Sequence, residues 1–274
     1  MKPKAAGTIA SPSLKEINVK HKLLATAILA LSLAAPGVHA QTPPAGTAQP
    51  AANAVNPASI QALKDMGAHL QSLKRFHVST ELTGERVLAD GQKLQHNAAA
   101  ELDVARPNML RARMFSSRSE REIFFDGKRA TLFIPAQKYY STVDFTEDLG
   151  GLVSKLEERY GVEIPLADLF LWGTPAAPLD KISSAMNAGQ DFIGADLCDH
   201  YAFRQGDFDW QIWITTGAKP LPRKLVITNR TDEARPQSVS LIEWNLKPTF
   251  KNSVFTFTPP KGATAVELRS LDKK

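Results

Sequence analysis

Residues Gln190 to Thr216, QDFIGADLCDHYAFRQGDFDWQIWITT, decide the fold. They read as two strands around the turn Gln205-Gly206-Asp207. On the first strand Ile193, Ala195, Leu197, Tyr201 and Phe203 share a face by the period of two, and Asp199 alone breaks the row. On the second, Trp210, Ile212 and Ile214 share a face, with Gln211 and Thr215 opposite. Alternation of this kind predicts half-buried antiparallel strands. Both exceed the usual length of about 5–6 residues, which suggests a large sheet that wraps something.

Working outward toward the C-terminus, Leu221 to Asn229, Val239 to Leu246 and Val254 to Thr258 read as further strands, and Pro259-Pro260 as the end of the sheet. In the middle one, Val239 and Leu241 lie on one face, then Ile242, Trp244 and Leu246 on the other. A one-residue phase switch predicts a β-bulge and a bend. Toward the N-terminus, residues 146–188 read as a helical insertion. Leu149, Leu152, Val153, Leu156 and Tyr160 form a helical stripe from about Thr146, Gly161 stops it, and Leu179 to Ala188 suggest another short helix. Six strands precede the insertion. Asp90-Gly91 and Asp126-Gly127 mark hairpins. With a two-residue loop at Asp90-Gly91, His77 faces Val104 and His96 faces Glu85. Before the strands, Ser59 caps a helix running to about Lys74, with Leu63, Met66, Leu70 and Leu73 on one stripe. The expected fold is mostly β with α: about eleven antiparallel strands in a sheet that must curl or split.

The net charge of +5 comes mainly from residues 1–40, where five lysines face Glu16 alone, so the rest is nearly balanced. That gives no reason to expect a nucleic-acid or anionic-membrane partner. Residues 1–40 read as a signal peptide. A basic stretch ends at Lys22, the apolar run Leu23 to Ala35 has 13 residues, Pro36-Gly37 breaks it, and Val38-His39-Ala40 fits a cleavage site. Such a run is too short to span a bilayer, which needs roughly 20 residues. Residues 41–57 are rich in Pro and Ala and uncharged, the composition of a disordered tether. A single domain, 58–270, follows, and one cysteine, Cys198, excludes an internal disulfide.

Several local motifs carry a resemblance. They are Asp126-Gly127-Lys128, Tyr160-Gly161-Val162 with Pro165-Leu166-Ala167-Asp168, Cys198-Asp199-His200, Asp209-Trp210-Gln211-Ile212-Trp213, Leu221-Pro222-Arg223-Lys224, and Phe255-Thr256-Phe257 with Pro259-Pro260. As a set they resemble a family of predicted periplasmic proteins, domain of unknown function 2092, over roughly residues 58 to 268. That family is in turn similar to the carrier fold of the lipoprotein-localisation proteins LolA and LolB. The resemblance implies an unclosed antiparallel barrel whose concave apolar face is covered by a helical lid, here 146–188, in a periplasmic protein. It supplies no functional residue.

The residues themselves offer little chemistry. Cys198 and His200 share a strand face and Asp199 points away, so the three cannot form a nucleophile–base relay. The histidines do not supply three converging metal ligands. No phosphate loop, nucleophile elbow or zincin motif occurs. The expectation is a monomeric, non-enzymatic protein without a cofactor. Its partner is an apolar ligand, such as an acyl chain or a lipoprotein, held by Leu152, Leu156, Tyr160, Phe170, Trp172, Trp210 and Ile212. The alternative is an envelope protein or sensor that binds a protein partner with the same face. A third outcome is that lid and sheet pack into an ordinary dry core.

Overall fold

The computed structural model describes residues 54–271, and twelve strands within them form one sheet. The predicted signal peptide and residues 41–53 of the predicted tether lie outside the described residues. Helix α1 (Pro57–Ser72) leads into a meander of β1 (Arg75–Val87), β2 (Lys93–Ala105), β3 (Met109–Phe115), β4 (Glu120–Phe125), β5 (Arg129–Ile134) and β6 (Tyr139–Asp144). Helices α2 (Leu149–Tyr160) and α3 (Asp168–Leu171) follow. A second meander then runs through β7 (Ile182–Ile193), β8 (Asp196–Gln205), β9 (Phe208–Thr215), β10 (Pro222–Asn229) and β11 (Gln237–Asn245), with β12 (Thr264–Ala265) last. β11 returns to pair with β1, which joins the meanders edge to edge. The order is β12-β6-β5-β4-β3-β2-β1-β11-β10-β9-β8-β7, with β12 and β7 at opposite edges, so the sheet is not closed. All neighbours are antiparallel except β12 beside β6. The architecture is the expected one: a mostly β, unclosed antiparallel sheet with an N-terminal helix and helices inserted between two sets of strands.

Local chemistry explains the element ends. Asn56, rather than Ser59, caps α1: its side-chain oxygen accepts from the Ala58 and Ser59 amides at 2.8 and 3.3 Å, and Pro57 occupies the first turn, where its missing amide costs nothing. Ala54 and Asn56 also exchange backbone hydrogen bonds with Ala185, so contact with the sheet begins before residue 57. Helix α2 begins at Leu149, a little after the expected start near Thr146, and Asp148 caps it through the Gly151 amide. Gly161 ends α2 in the left-handed conformation, as its position predicts.

Five expectations need correction. Gln190 to Thr216 spans three strands, because Ile193-Gly194-Ala195-Asp196 is itself a hairpin turn joining β7 to β8. Ile193 and Ala195 therefore leave the apolar row, and Leu197 stands exposed at the hairpin end. Asp199 lies beyond the packed core, where it accepts from Gln190 Nε2 at 2.8 Å. Second, residues 182–188 are strand, and only a 3-10 turn, Leu179–Lys181, precedes them. The helical insertion thus ends at Lys181. A register shift between Ile182 and Ser184 lets Ile182 and Ala185 both face the core, and this three-residue spacing imitates a helix.

Third, β11 holds continuous register with both neighbours and has no bulge. It is apolar on both sides: Ile242 and Trp244 pack on the main core, and Val239 packs on a smaller cluster on the other face. Fourth, residues 254–258 are not a strand. Asn252–Phe255 form a 3-10 turn, and the chain rejoins the sheet after Pro259-Pro260 as β12. Fifth, the β1–β2 hairpin has a three-residue loop, Ala89 to Gly91, closed by the Leu88 amide donating to the Gln92 carbonyl. Gly91 takes φ +86°, which a non-glycine residue rarely adopts, and Asp90 accepts from the Gln92 amide. His77 consequently faces Asp103, and His96 faces Gly84.

Candidate binding face

The inner face of the sheet, the one the helices cover, is built by the period of two. Phe76 and Val78 of β1, Leu102 and Val104 of β2, and Leu110 and Ala112 of β3 lie opposite one another on it. Tyr201 and Phe203 of β8, Ile212 of β9 and Ile242 of β11 continue the row. Over it lie Leu63, Met66 and Leu70 of α1, Leu149, Leu152, Val153 and Leu156 of α2, and Leu169 and Phe170 of α3. The seven predicted contact residues all belong to this one apolar cluster. Leu152, Leu156, Phe170, Trp172 and Ile212 are buried in it; Tyr160 and Trp210 are half-buried against it.

Beside Leu156, lid and sheet meet closely. The gap beside Leu156, bounded by Ile123, Leu132, Val143 and Leu268, measures about 10 Å³. That is at the lower limit for one water molecule, about 10–15 Å³. Leu268 was not foreseen as a lining residue; it arrives from the C-terminal segment, whose Leu271 amide donates to the Arg159 carbonyl of α2 at 2.8 Å. Other ties are also peripheral. The Leu149 amide donates to the Pro107 carbonyl at 3.1 Å, Arg121 to the Glu163 carbonyl at 3.1 Å, and Gln71 Nε2 to the Trp172 carbonyl at 2.7 Å. Arg106 reaches the Leu169 carbonyl at 3.4 Å and lies over the Phe170 ring, in surroundings buried enough to lower its pKa. Gly67 of α1 and Gly173 after α3 touch backbone to backbone: a Cβ on Gly173 would lie 2.4 Å from the Gly67 carbonyl oxygen. A glycine in mid-helix and another just past Trp172 were the available sequence signal for this contact.

The sequence profile of the DUF2092 family, described as predicted periplasmic proteins, matches residues 59–269. The chain belongs to that family. It is a periplasmic protein. No curated protein matches its sequence. Among solved structures, an uncharacterised conserved protein from Thermus thermophilus is similar at 10% identity and a TM-score of 0.47, over 77% of this chain and 99% of the other. LppX, a lipoprotein of Mycobacterium tuberculosis, is similar at 11% identity and a TM-score of 0.38, over 71% and 98%. A LolA superfamily protein from Nitrosomonas europaea is similar at 10% identity and a TM-score of 0.34, over 73% and 97%.

Cys198 and His200 of this family member share the outer face, as the strand period predicts, and Asp199 takes the other. Cys198 is buried with Trp213 and Val226. Burial, reinforced by Asp196, pushes its thiol pKa up, the opposite of what a nucleophile requires. The His200 ring stacks on Trp213 at 4.0 Å, and its Nε2 bonds Gln211 Oε1 at 2.9 Å. Asp191 accepts from Trp213 Nε1 at 2.8 Å. The ring is thereby held in a packing role. Among the described residues, no three His, Cys, Asp or Glu side chains are placed to hold a metal ion.

Proposed function

We propose that this periplasmic protein carries an apolar chain, such as the acyl chain of a lipid or lipoprotein, between the inner face of the sheet and the lid formed by α2 and α3. One observation supports this reading most: an apolar lid lies on an apolar sheet and is tied to the rest of the fold chiefly by hydrogen bonds at its margins. Because the lid side chains are already buried against the sheet, the ligand takes their place. Leu152, Leu156, Tyr160, Phe170 and Trp172 would then contact it from the lid, and Trp210 and Ile212 from the sheet. The same reading takes residues 1–40 as a leader removed after Ala40, and the working form as a monomer without enzymatic activity.

Magnitudes set the shape of the expected binding curve. Burying the large apolar side chains of α2 and α3 contributes roughly 1.5–3 kcal/mol each, so uncovering several costs on the order of 10 kcal/mol. An acyl chain returns about 0.8 kcal/mol per methylene. Short chains cannot recover the cost and long ones can, so affinity should rise steeply with length and respond weakly to headgroup. The test is titration of delipidated protein with fatty acids from octanoate to stearate, followed by tryptophan fluorescence, beside a Leu156→Asp variant checked for folding by circular dichroism. Saturable binding of the long chains, lost in the folded variant, is expected. Absence of saturation at every length overturns the carrier reading and leaves the inner face to a protein partner or to structure alone.

A further inference from the structure

The outer face carries a second cavity that owes nothing to the lid. Strands β4, β5 and β6 place Phe124, Thr131, Phe133, Tyr140 and Thr142 on that face, since the partners Phe125, Ala130 and Val143 take the inner one. The chain after β11 crosses over them. Its 3-10 turn buries Phe255, and the Phe257 ring then comes within 5.1–5.3 Å of the rings of Tyr140, Phe133 and Phe124. Past Pro259 the segment is fastened again as β12 beside β6. Held at both ends, it bridges the strands and leaves a cavity of about 160 Å³ beneath it.

The lining is mixed in a specific way. Thr131 and Thr142 belong to it, their hydroxyl oxygens 2.9 Å apart. Phe124, Tyr140 and Phe257 supply aromatic surface. Asp126 and Arg129 complete it, with Asp126 Oδ2 and an Arg129 guanidinium nitrogen 3.9 Å apart, wider than a hydrogen bond. Asp126 Oδ1 is committed to the Lys128 and Arg129 amides at 3.0 and 2.8 Å, which fixes the carboxylate in place. The cavity therefore offers a guanidinium that only donates, a carboxylate that only accepts and hydroxyls that do both.

This combination selects a ligand class. The two charges cancel, so neither an anion nor a cation has a net advantage. A purely apolar ligand would strip water from the hydroxyls and the carboxylate without replacing its hydrogen bonds. The volume is close to the roughly 150 Å³ of a cavity that holds one six-membered ring. A ring with C–H faces for the aromatic surface and hydroxyls at its edge satisfies every group. We propose that this cavity binds a neutral pyranose, either as a free sugar or as the terminal unit of a glycan.

The experiment is calorimetric titration of the whole protein with glucose, galactose, mannose and N-acetylglucosamine, and with chitotriose as the glycan arm. Glucuronate and cyclohexanol serve as the anionic and apolar counterparts. At least one neutral sugar should saturate, and Thr142→Val and Arg129→Leu, each confirmed folded, should weaken it at least tenfold. The folded Leu156→Asp lid variant should leave it unchanged, which separates this site from the lid. Tighter binding of chitotriose than of any free sugar would assign the site to a glycan terminus, and the reverse to free sugar. Binding of glucuronate or cyclohexanol in place of neutral sugars, a sugar affinity indifferent to both site variants, or no saturation at any concentration would overturn the proposal.

Discussion

The two faces of this sheet are held by different forces. On the inner face almost every position is apolar and the helix side chains above it are buried against it. On the outer face, charges pair across neighbouring strands: Arg111 with Glu122 at 2.7 Å, Arg113 with Glu120 at 2.7 Å, and Arg204 with Asp209 at 2.7 Å. The inner face is thus stabilised by volume and the outer by solvated ion pairs. A ligand reaching the inner face must displace side chains. One on the outer face need displace only water.

The most direct way to break this contrast is a matched pair of truncations. Leu152→Ala removes a side chain with 0% exposure and should cost about 3–4 kcal/mol in urea denaturation. Arg111→Ala, whose side chain is 35% exposed, should cost less than about 1 kcal/mol. Equal losses would mean that the ion pairs hold the sheet as firmly as the core does. Gly173→Ala comes next, at about 2–3 kcal/mol. It forces a Cβ against the Gly67 carbonyl and places alanine at φ +80°. If this contact seats the lid, the variant should also bind stearate faster than wild type in stopped-flow fluorescence. Unchanged stability would show that the lid tolerates displacement from α1.

Cys198→Ala probes a small apolar patch of the outer face. The side chain is small and sits among Trp213, Val226, Ile193 and Val239. A loss of about 1 kcal/mol is expected, with ligand binding unchanged. Loss of binding in a folded Cys198→Ala protein would overturn its structural role.

How much could be read from the sequence follows the same division. The inner row was legible wherever the period of two ran unbroken, as in β2, β3 and β9, and so was α2 with its glycine stop. All seven proposed contact residues lie in one cluster because apolar periodicity reports burial well. It does not report whether the buried space is occupied. That depends on volumes brought from a distance, by α1 and by Leu268. Phase errors arose where one residue altered the count: at Ser183 in β7, in the Gly194-Ala195 turn, and at Gly91, whose left-handed backbone adds a third residue to the hairpin loop. The two-sided apolar pattern of β11 imitated a bulge because Ser240 fills an inner position where an apolar residue was expected. The outer cavity left no periodic trace, since Phe257 meets Phe124 across more than half the length of the domain.

The smallest effect sharpens the contrast through pH. On the outer face His77 Nδ1 lies 2.8 Å from Asp103 Oδ1, and this hydrogen bond, with the charges of Asp103 and Glu101, outweighs burial and raises the histidine pKa above its ordinary 6.5. Asn245, opposite on β11, adds no charge. A raised folded pKa means that the native state holds the proton more tightly than the unfolded chain. The resulting stabilisation is fully present below pH 6.5 and is lost as pH rises through the folded value. Because the pair is partly solvated, it should amount to about 0.5 kcal/mol or less. Asp103→Asn removes the charge while keeping the shape. Urea midpoints of wild type and variant should therefore differ most near about pH 5.5 and converge toward about pH 8.5, as the linkage requires. A gap that stays constant or widens with pH would show that Asp103 acts without the proton on His77. The outer-face pair would then resemble the inner face, where position rather than charge decides stability.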